Sequence, residues 1–300
     1  MPSLPDHIYF GVFDGHGGAG AAIYTAAHLV EVIEETKEWK EYVASSTREP
    51  EMIGKALEAA FLTMDVKLRN YQANYTPTSD KAKDLTDTSG CTATTCMVTP
   101  LHLICANAGD SRTVLGTDSG EGLTTIAMSE DHKPEDQGEY DRIIAAGGSV
   151  QWKRVDGDLA VSRALGDFEY KKRSDLPAEQ QRVSPFPDIK VLERIPVDDV
   201  LILACDGVWD VYSSEEGVEA VRTLFAMGES NMMLVAEEFI DSAMTKGSRD
   251  NISAIVVKLE GATIGTGGGV AALRQAREEE EAASRQRGVS HDVAESTTYK

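Results

Sequence analysis

The stretch from residue 91 to residue 129 constrains the fold most. "CTATTCMVT", "HLICANAG", "SRTVLG" and "LTTIAMS" are short segments rich in apolar and β-branched residues. Pro100-Leu101 and Gly109-Asp110 separate the first three, and both pairs are turn chemistry. Strands joined by such short turns pair antiparallel, because a parallel neighbour needs a long crossover.

The flanks of this meander alternate between helices and strands in blocks. Residues 8–13 read as a strand. A helical pattern runs from about Ala19 to Val43, with Ile23, Ala26, Ala27, Val30 and Ile33 on one face. A second runs from about Pro50 to Tyr71, with Ile53, Leu57, Ala60, Phe61, Met64 and Leu68. Both keep 3.6-residue spacing. "TPTSDKAKDLTDTSG" (76–90) reads as a polar loop. After the meander, a short helix around 136–146 buries Tyr140, Ile143 and Ile144, and Gly147-Gly148 ends it. A hairpin is expected around Asp156-Gly157. The charged, proline-bearing segment 168–187 reads as a surface excursion. "DIKVLERIP" and "VLILACDG" are strands. Ser213 and Glu216 form a capping box for a helix ending near Gly228. A further helix spans about Asn231 to Lys246, closed by Gly247. "NISAIVVKLEG" is the last strand. Beyond it, "GTGGG" and an Ala/Arg/Glu-rich segment read as linker and tail with marginal helicity. No internal repeats occur. This grouping implies an α+β class with antiparallel sheets, not a doubly wound sheet.

The chain carries a net charge of −21 over 300 residues. Residues 261–300 hold five basic and six acidic residues, so the acidity lies in the folded part. Such a surface repels nucleic acid and anionic lipid, and neither is an expected partner. Cys91, Cys96, Cys105 and Cys205 sit in or beside apolar runs without a C-x-x-C pair. They read as buried reduced thiols of an intracellular protein, cytoplasmic or nuclear. No secretory leader or membrane-spanning run is visible.

"YFGVFDGHGGAG" (9–20) poses the functional question. Gly15, Gly17 and Gly20 satisfy G-x-G-x-x-G between a strand and a helix, the dinucleotide context. A dinucleotide fold needs a second strand after that helix, with an acid at its end. Here another helix follows, so dinucleotide binding stays a remote alternative. Asp14 and His16 point instead to metal chemistry. Asp206 ends the apolar run "LILACDG", where a carboxylate is costly to bury uncompensated. Asp110 lies between strands in "NAGDSR", and Asp250 precedes a strand in "GSRDN". Each alone is ordinary turn chemistry. Together they can converge at one rim of a sheet sandwich.

The motifs "YFGVFDGHGG", "SGCTATTCMV", "ICANAGDSRTVL", "EDHKP", "DGDLAVSRALGDFEYK", "LILACDGVWDVYSSEE" and "GSRDNISAIVV" resemble, in order and rough spacing, the metal-dependent protein serine/threonine phosphatases of type 2C (the PPM family). The resemblance covers about residues 8–260. It implies a four-layer α-β-β-α sandwich of two antiparallel sheets flanked by helix pairs. It also implies two Mg²⁺ or Mn²⁺ ions at one end, and a phosphoserine or phosphothreonine protein as substrate. By motif match, Asp14 bridges both ions and the Gly15 carbonyl binds one, while Asp206 and Asp250 hold the other. Asp110, and more weakly Asp210, match a third-metal position. His16 matches the general acid for the leaving alkoxide. Hard divalent cations prefer such oxygen ligands. A paired-metal site activates water, so no Ser or Cys nucleophile is required. Arg112 and Arg163 are read as loop braces and Trp209 as core. Segment 168–187 matches the family's variable flap.

One departure shapes the expectations. Family members carry, before the glycine loop, a strand with an Arg and a following Glu-Asp pair. Residues 1–13 contain no Arg and no Glu, and Asp6 is misplaced in the motif. The expected organisation is therefore an N-terminally incomplete phosphatase-like domain over 1–260 and a flexible, dispensable tail over 261–300. A monomer is expected. The leading function is metal-dependent dephosphorylation, and the alternative is an impaired relative that binds phosphoproteins or regulates.

Overall fold

The computed structural model describes residues 1–74, 87–118 and 122–296. Two four-stranded antiparallel sheets lie face to face. The first pairs β1 (Ile8–Val12), β4 (Ala93–Val98), β5 (His102–Ala108) and β11 (Asp188–Glu193) in that order. The second runs β13 (Ala254–Lys258), β12 (Asp198–Ala204), β6 (Arg112–Asp118), β7 (Leu123–Ala127). A small sheet joins β2 (Gly15–His16), β3 (Gly90–Cys91) and β10 (Leu165–Gly166), and β8 (Val150–Gln151) pairs with β9 (Arg154–Val155).

Period-two alternation builds the layers. Along β12, Val200, Ile202 and Ala204 face helices, while Leu201 and Leu203 face the other sheet. Along β5, Leu103 and Cys105 point between the sheets, and Ile104 and Ala106 point to the opposite helices. Three apolar cores result: helix on sheet, sheet on sheet, sheet on helix. The expected α-β-β-α sandwich is the observed fold.

On the first sheet pack α1 (Gly20–Glu35), α2 (Lys37–Ala44) and α3 (Pro50–Ala73). All six apolar residues expected on the α3 face are fully buried. The first helical pattern departs from expectation in two ways. Thr36 leaves helical geometry, and its Oγ1 accepts the Trp39 amide at 3.2 Å, so a new helix starts there. The buried face of α1 is Ala21, Thr25, Leu29, Val32 and Ile33, whereas Ile23 is 68% exposed. Small residues win that face because the helix lies close to β3, with Thr25 Oγ1 3.7 Å from Cys91 Sγ.

A short helix, α4 (Gln137–Ala145), buries Ile143, but Tyr140 and Ile144 are exposed and Glu139 is buried instead. Besides the expected turn at Asp156-Gly157, which an antiparallel Val155–Leu159 bridge closes, the β8–β9 hairpin turns at Trp152-Lys153. Both turn residues have φ near +50° to +60°, the geometry a two-residue hairpin turn demands. The polar loop expected at 76–90 falls mostly outside the described residues.

The second sheet ends at α5 (Asp206–Trp209) and is covered by α6 (Ser214–Ala226), α7 (Met232–Thr245) and α8 (Gly269–Ser296). The Ser213–Glu216 capping box is present. Residues 261–300 are not a free tail throughout. The Gly265 amide donates to the Phe225 carbonyl at 2.8 Å, and Gly269 to Met227 at 2.9 Å. Val270 is buried in the α6–α7 core, Leu273 packs beside it, and Arg274 Nε lies 3.3 Å from Glu238 Oε2. The start of α8 thus adds apolar burial worth about 1.5–3 kcal/mol per large side chain. No helix among the described residues is long and apolar enough to cross a membrane.

Candidate metal centre

Strand ends carry the site. Asp14 follows β1, where the chain turns into the two-residue strand β2. Its carbonyl accepts the Thr92 amide at 2.9 Å, which fixes the loop against the meander. Gly17 and Gly18 take φ of +65° and +134°, which a side chain would strain. A Cβ on Gly15 would lie 3.1 Å from both the Gly18 carbonyl oxygen and Ala22 Cβ. The backbone at 15 is therefore packed too closely to take a side chain without a shift of its neighbours.

Asp206 is the first residue of α5, directly after the buried strand β12. Its carboxylate meets that of Asp14, and a ligand atom of Cys205 joins them, all within 4.8 Å of one another. Both carboxyls titrate above the usual range. For Asp206, burial comes first, then the charges of Asp110, Asp14 and Asp210, and together they raise it to about 7. For Asp14, burial raises the carboxyl most, the hydrogen bond with Asp206 opposes that, repulsion from Asp110 and Asp250 adds to the rise, and the net shift is upward. Two carboxylates this close and half-buried repel when both are ionised, unless a cation lies between them. The donor set therefore fits a divalent ion. Cys205 does not complete it as a thiolate. Its thiol donates to the Asn251 carbonyl at 3.3 Å, accepts the Ser253 amide at 3.2 Å, and is pushed up by burial.

The other expected residues are placed differently. Asp250 is exposed at the loop before β13, where its Oδ1 accepts the Asn251 amide at 2.7 Å. It acts on Asp14 through charge but lies outside the tight cluster. Asp210 is exposed at the end of α5 and acts on Asp206 in the same way. Asp110 is buried in the β5–β6 turn and pairs with Lys133 Nζ. Its turn is shaped by Gly109, with φ of +115°, whose amide donates to His132 Nδ1 at 3.2 Å.

His16 lies on β2, opposite Gly90. Its Nε2 is 2.6 Å from Asp167 Oδ2. Burial works against protonation, but the hydrogen bond and charge of Asp167, then the charges of Asp14 and Asp110, outweigh it and raise the imidazole. Asp167 was not among the expected site residues, nor was Lys133. Asp167 sits at φ of +53° after a glycine, and Gly90 is small because a Cβ there would meet the Asp167 carboxylate. The sequence signal was the third Gly-Asp turn, in "RALGD".

Arg112 is a brace, as expected. It grips Asp131 with two bonds of 2.9 Å, and Nη1 reaches Ser214 Oγ at 3.1 Å. Arg163 does the same for Glu139 and Asp188. Trp209 is buried, with Nε1 donating to the Ala204 carbonyl at 2.8 Å.

Comparison with known proteins agrees with this arrangement. The family model described as "Protein phosphatase 2C" matches residues 2–252. The chain belongs to the protein phosphatase 2C family. It is 40% identical over 264 residues to "Protein phosphatase 2C homolog 2" of Schizosaccharomyces pombe, covering 85% of this chain and 64% of the relative. It is 39% identical to "Probable protein phosphatase 1N" of Homo sapiens, covering 87% and 56%. The chain thus spans about half to two thirds of the length of these relatives. Its fold is similar to that of a serine-threonine phosphatase 2C from Toxoplasma gondii, with a TM-score of 0.72 and 25% identity over 86% of this chain and 87% of that one. This family is metal-dependent, in keeping with the paired carboxylates.

Proposed function

We propose that the chain hydrolyses phosphoserine and phosphothreonine in protein substrates, with Mg²⁺ or Mn²⁺ at Asp14 and Asp206. The observation that carries this reading is the pair itself: two carboxylates held together by β1 and β12, with no side-chain cation paired to either among the described residues. Asp14, the Gly15 carbonyl, Asp206 and Asp250 would hold two ions, and Asp110 or Asp210 a third once Lys133 is displaced. A divalent cation bound there would polarise the phosphoryl oxygens and activate water.

The chain's own groups do the rest. His16 donates through Nε2 to Asp167, which leaves Nδ1 to pass a proton to the departing alkoxide of the serine or threonine. Asp167 keeps the ring charged and oriented. Lys133 holds Asp110 at the rim, which moderates the local negative field that would repel a phosphate dianion. The phosphatase relatives support a phosphoprotein partner and the acidic surface disfavours nucleic acid and anionic membrane, and we extend the reading to a monomer in the cytoplasm or nucleus.

The test is hydrolysis of a phosphoserine peptide by the intact chain across a Mn²⁺ and Mg²⁺ titration. Turnover should appear with metal and vanish with chelator. Turnover that persists unchanged in chelator and in Asp206→Asn would overturn the reading. Metal binding without turnover would favour the phosphoprotein-binding alternative.

A further inference from the structure

A cleft of about 450 Å³ opens beside α3, lined by Asp65, Arg69, Lys171, Lys172, Arg173 and Ser174 together with flap residues up to 181. Four cations share this lining with one carboxylate, on a chain whose net charge is −21. The single carboxylate is already used. Asp65 Oδ1 binds Lys171 Nζ at 2.6 Å and the Gly166 amide at 2.9 Å. Lys171 is buried, with its ammonium also donating to the Ala164 carbonyl at 2.8 Å.

The remaining three cations are available. Arg69 has no carboxylate partner among the described residues. Its guanidinium stacks on Phe168 at 4.1 Å from the ring centre, and Nη2 reaches the Lys171 carbonyl at 3.4 Å. That stacking holds the guanidinium fork in place without occupying its edge. Lys172 and Arg173 pair with Glu169 and Asp175, three and two residues away, all four exposed; Arg173 grips Asp175 with two bonds, and its Nη1 also donates to the Ala146 carbonyl at 3.2 Å. The exposed Lys172 pair is weak and readily exchanged for a better anion, whereas the two-bond Arg173 pair is better held. The cleft therefore offers two oriented guanidiniums, one mobile ammonium and the Ser174 hydroxyl.

Its position links it to the metal centre. Asp65 clamps both flanks of Asp167, through Gly166 on one side and Lys171 on the other, and Asp167 touches His16. Four residues of chain separate Asp167 from Lys171, which bounds the distance between their Cα atoms at about 14 Å. An extended substrate advances about 3.3 Å per residue.

We propose that this cleft is a docking site for an anionic side chain of the substrate, carboxylate or phosphoryl, within about five positions of the phosphoresidue. The proposal rests on the phosphatase reading for its setting, but its binding chemistry is separable. Arg69 would take the anion with two parallel hydrogen bonds, Lys172 would swing from Glu169 to complete the charge, and Arg173 would add its field from where it stands.

Calorimetric titration of the intact chain tests it with three probes: a peptide rich in Glu, its Gln counterpart, and inorganic phosphate. Each is repeated with Arg69→Gln and with the double change Lys172→Gln and Arg173→Gln, after thermal melting shows that both remain folded. The Glu peptide should bind about tenfold more tightly than the Gln peptide. Either variant should cut that preference about fivefold, and salt should weaken it. In kinetics, the preference for phosphopeptides with neighbouring acids should fall through KM, with kcat and turnover of a small aryl phosphate unchanged. Equal binding of the two peptides, or a preference untouched by both variants, overturns the docking site. Phosphate binding that depends on Arg69 without any peptide preference also overturns it. Peptide preference lost in the variants, in a chain that hydrolyses nothing, upholds the cleft and removes the phosphatase reading.

Discussion

Glu139 and Asp206 are both carboxylates in sheltered positions, and the fold treats them in opposite ways. Burial alone would raise Glu139. Yet Arg163 binds its Oε1 through two nitrogens at 2.8 and 3.0 Å, Arg142 binds Oε2 at 2.6 Å, and the carboxyl falls to about 2. Asp206 meets Asp14, Asp110 and Asp210 instead, and rises to about 7. Two guanidiniums complete the first cluster. In the second, Lys133 pairs with Asp110, and no side-chain cation among the described residues pairs with Asp14 or Asp206. Neutralised charge holds loops together. Charge that folding leaves unneutralised asks for a ligand, and the energy of that request is available for binding metal.

The sharpest test of this contrast is Asp206→Asn. Activity should fall roughly 10³-fold or more, which corresponds to about 4 kcal/mol of transition-state stabilisation. The metal-free protein should melt higher than wild type, because one member of the repelling set is gone. Kinetics and melting of the same sample read both effects. A lower melting temperature with retained activity would place Asp206 among the structural acids.

The mirror experiment is Glu139→Gln. It leaves Arg142 and Arg163 facing a neutral group in a buried setting. Breaking such a pair costs about 3–5 kcal/mol. Denaturant unfolding should show that loss, while metal affinity of the folded protein stays within about twofold of wild type. A loss of metal affinity with unchanged stability would mean that the two clusters are one.

Asp167 stands between these cases, since His16, its side-chain partner among the described residues, is itself titratable. Asp167→Asn keeps the shape and tolerates the positive φ. It removes the charge that raises His16. The alkaline limb of the kcat–pH profile should move to lower pH, and turnover at pH 7.5 should fall about tenfold. A uniform fall at every pH would assign Asp167 a purely structural role.

Much of this was legible in the sequence, for a physical reason. Alternation along β5 and β12 and the six-residue stripe of α3 each follow from one local period, which needs no knowledge of partners. Asp14, His16, Asp110, Asp206 and Asp250 sit at strand ends inside recognisable motifs. The misses share another cause. Asp167 meets a histidine 151 residues away, and Lys133 meets an aspartate 23 residues away. No window along the chain contains either pair. Ile23 misled because apolar size suggests burial, whereas close approach to β3 selects Ala21 and Thr25. The anchor of α8 was hidden because Val270 and Leu273 are the two large apolar side chains between a glycine-rich run and a charged one.

The smallest expected effect separates the two clusters by pH in the metal-free protein. Glu139 has a folded value near 2, below its ordinary 4.5. Its stabilising contribution is fully present above about 4.5 and is lost as pH falls toward 2. Asp206 has a folded value near 7, above its ordinary 3.8. Between those values the folded state holds the proton more tightly than the unfolded chain, so stability declines as pH rises from about 4 to about 7 and stays reduced above. Melting temperature should therefore peak near pH 4–5 and slope down on both sides, by a few degrees on the neutral side. Added Mn²⁺ should flatten the neutral slope alone, because the cation replaces the proton in relieving repulsion. Asp206→Asn should flatten the same slope without metal, and Glu139→Gln should flatten only the acid one. If Mn²⁺ leaves the neutral slope unchanged while Asp206→Asn removes it, the cation binds elsewhere, and the uncompensated pair is not the metal centre.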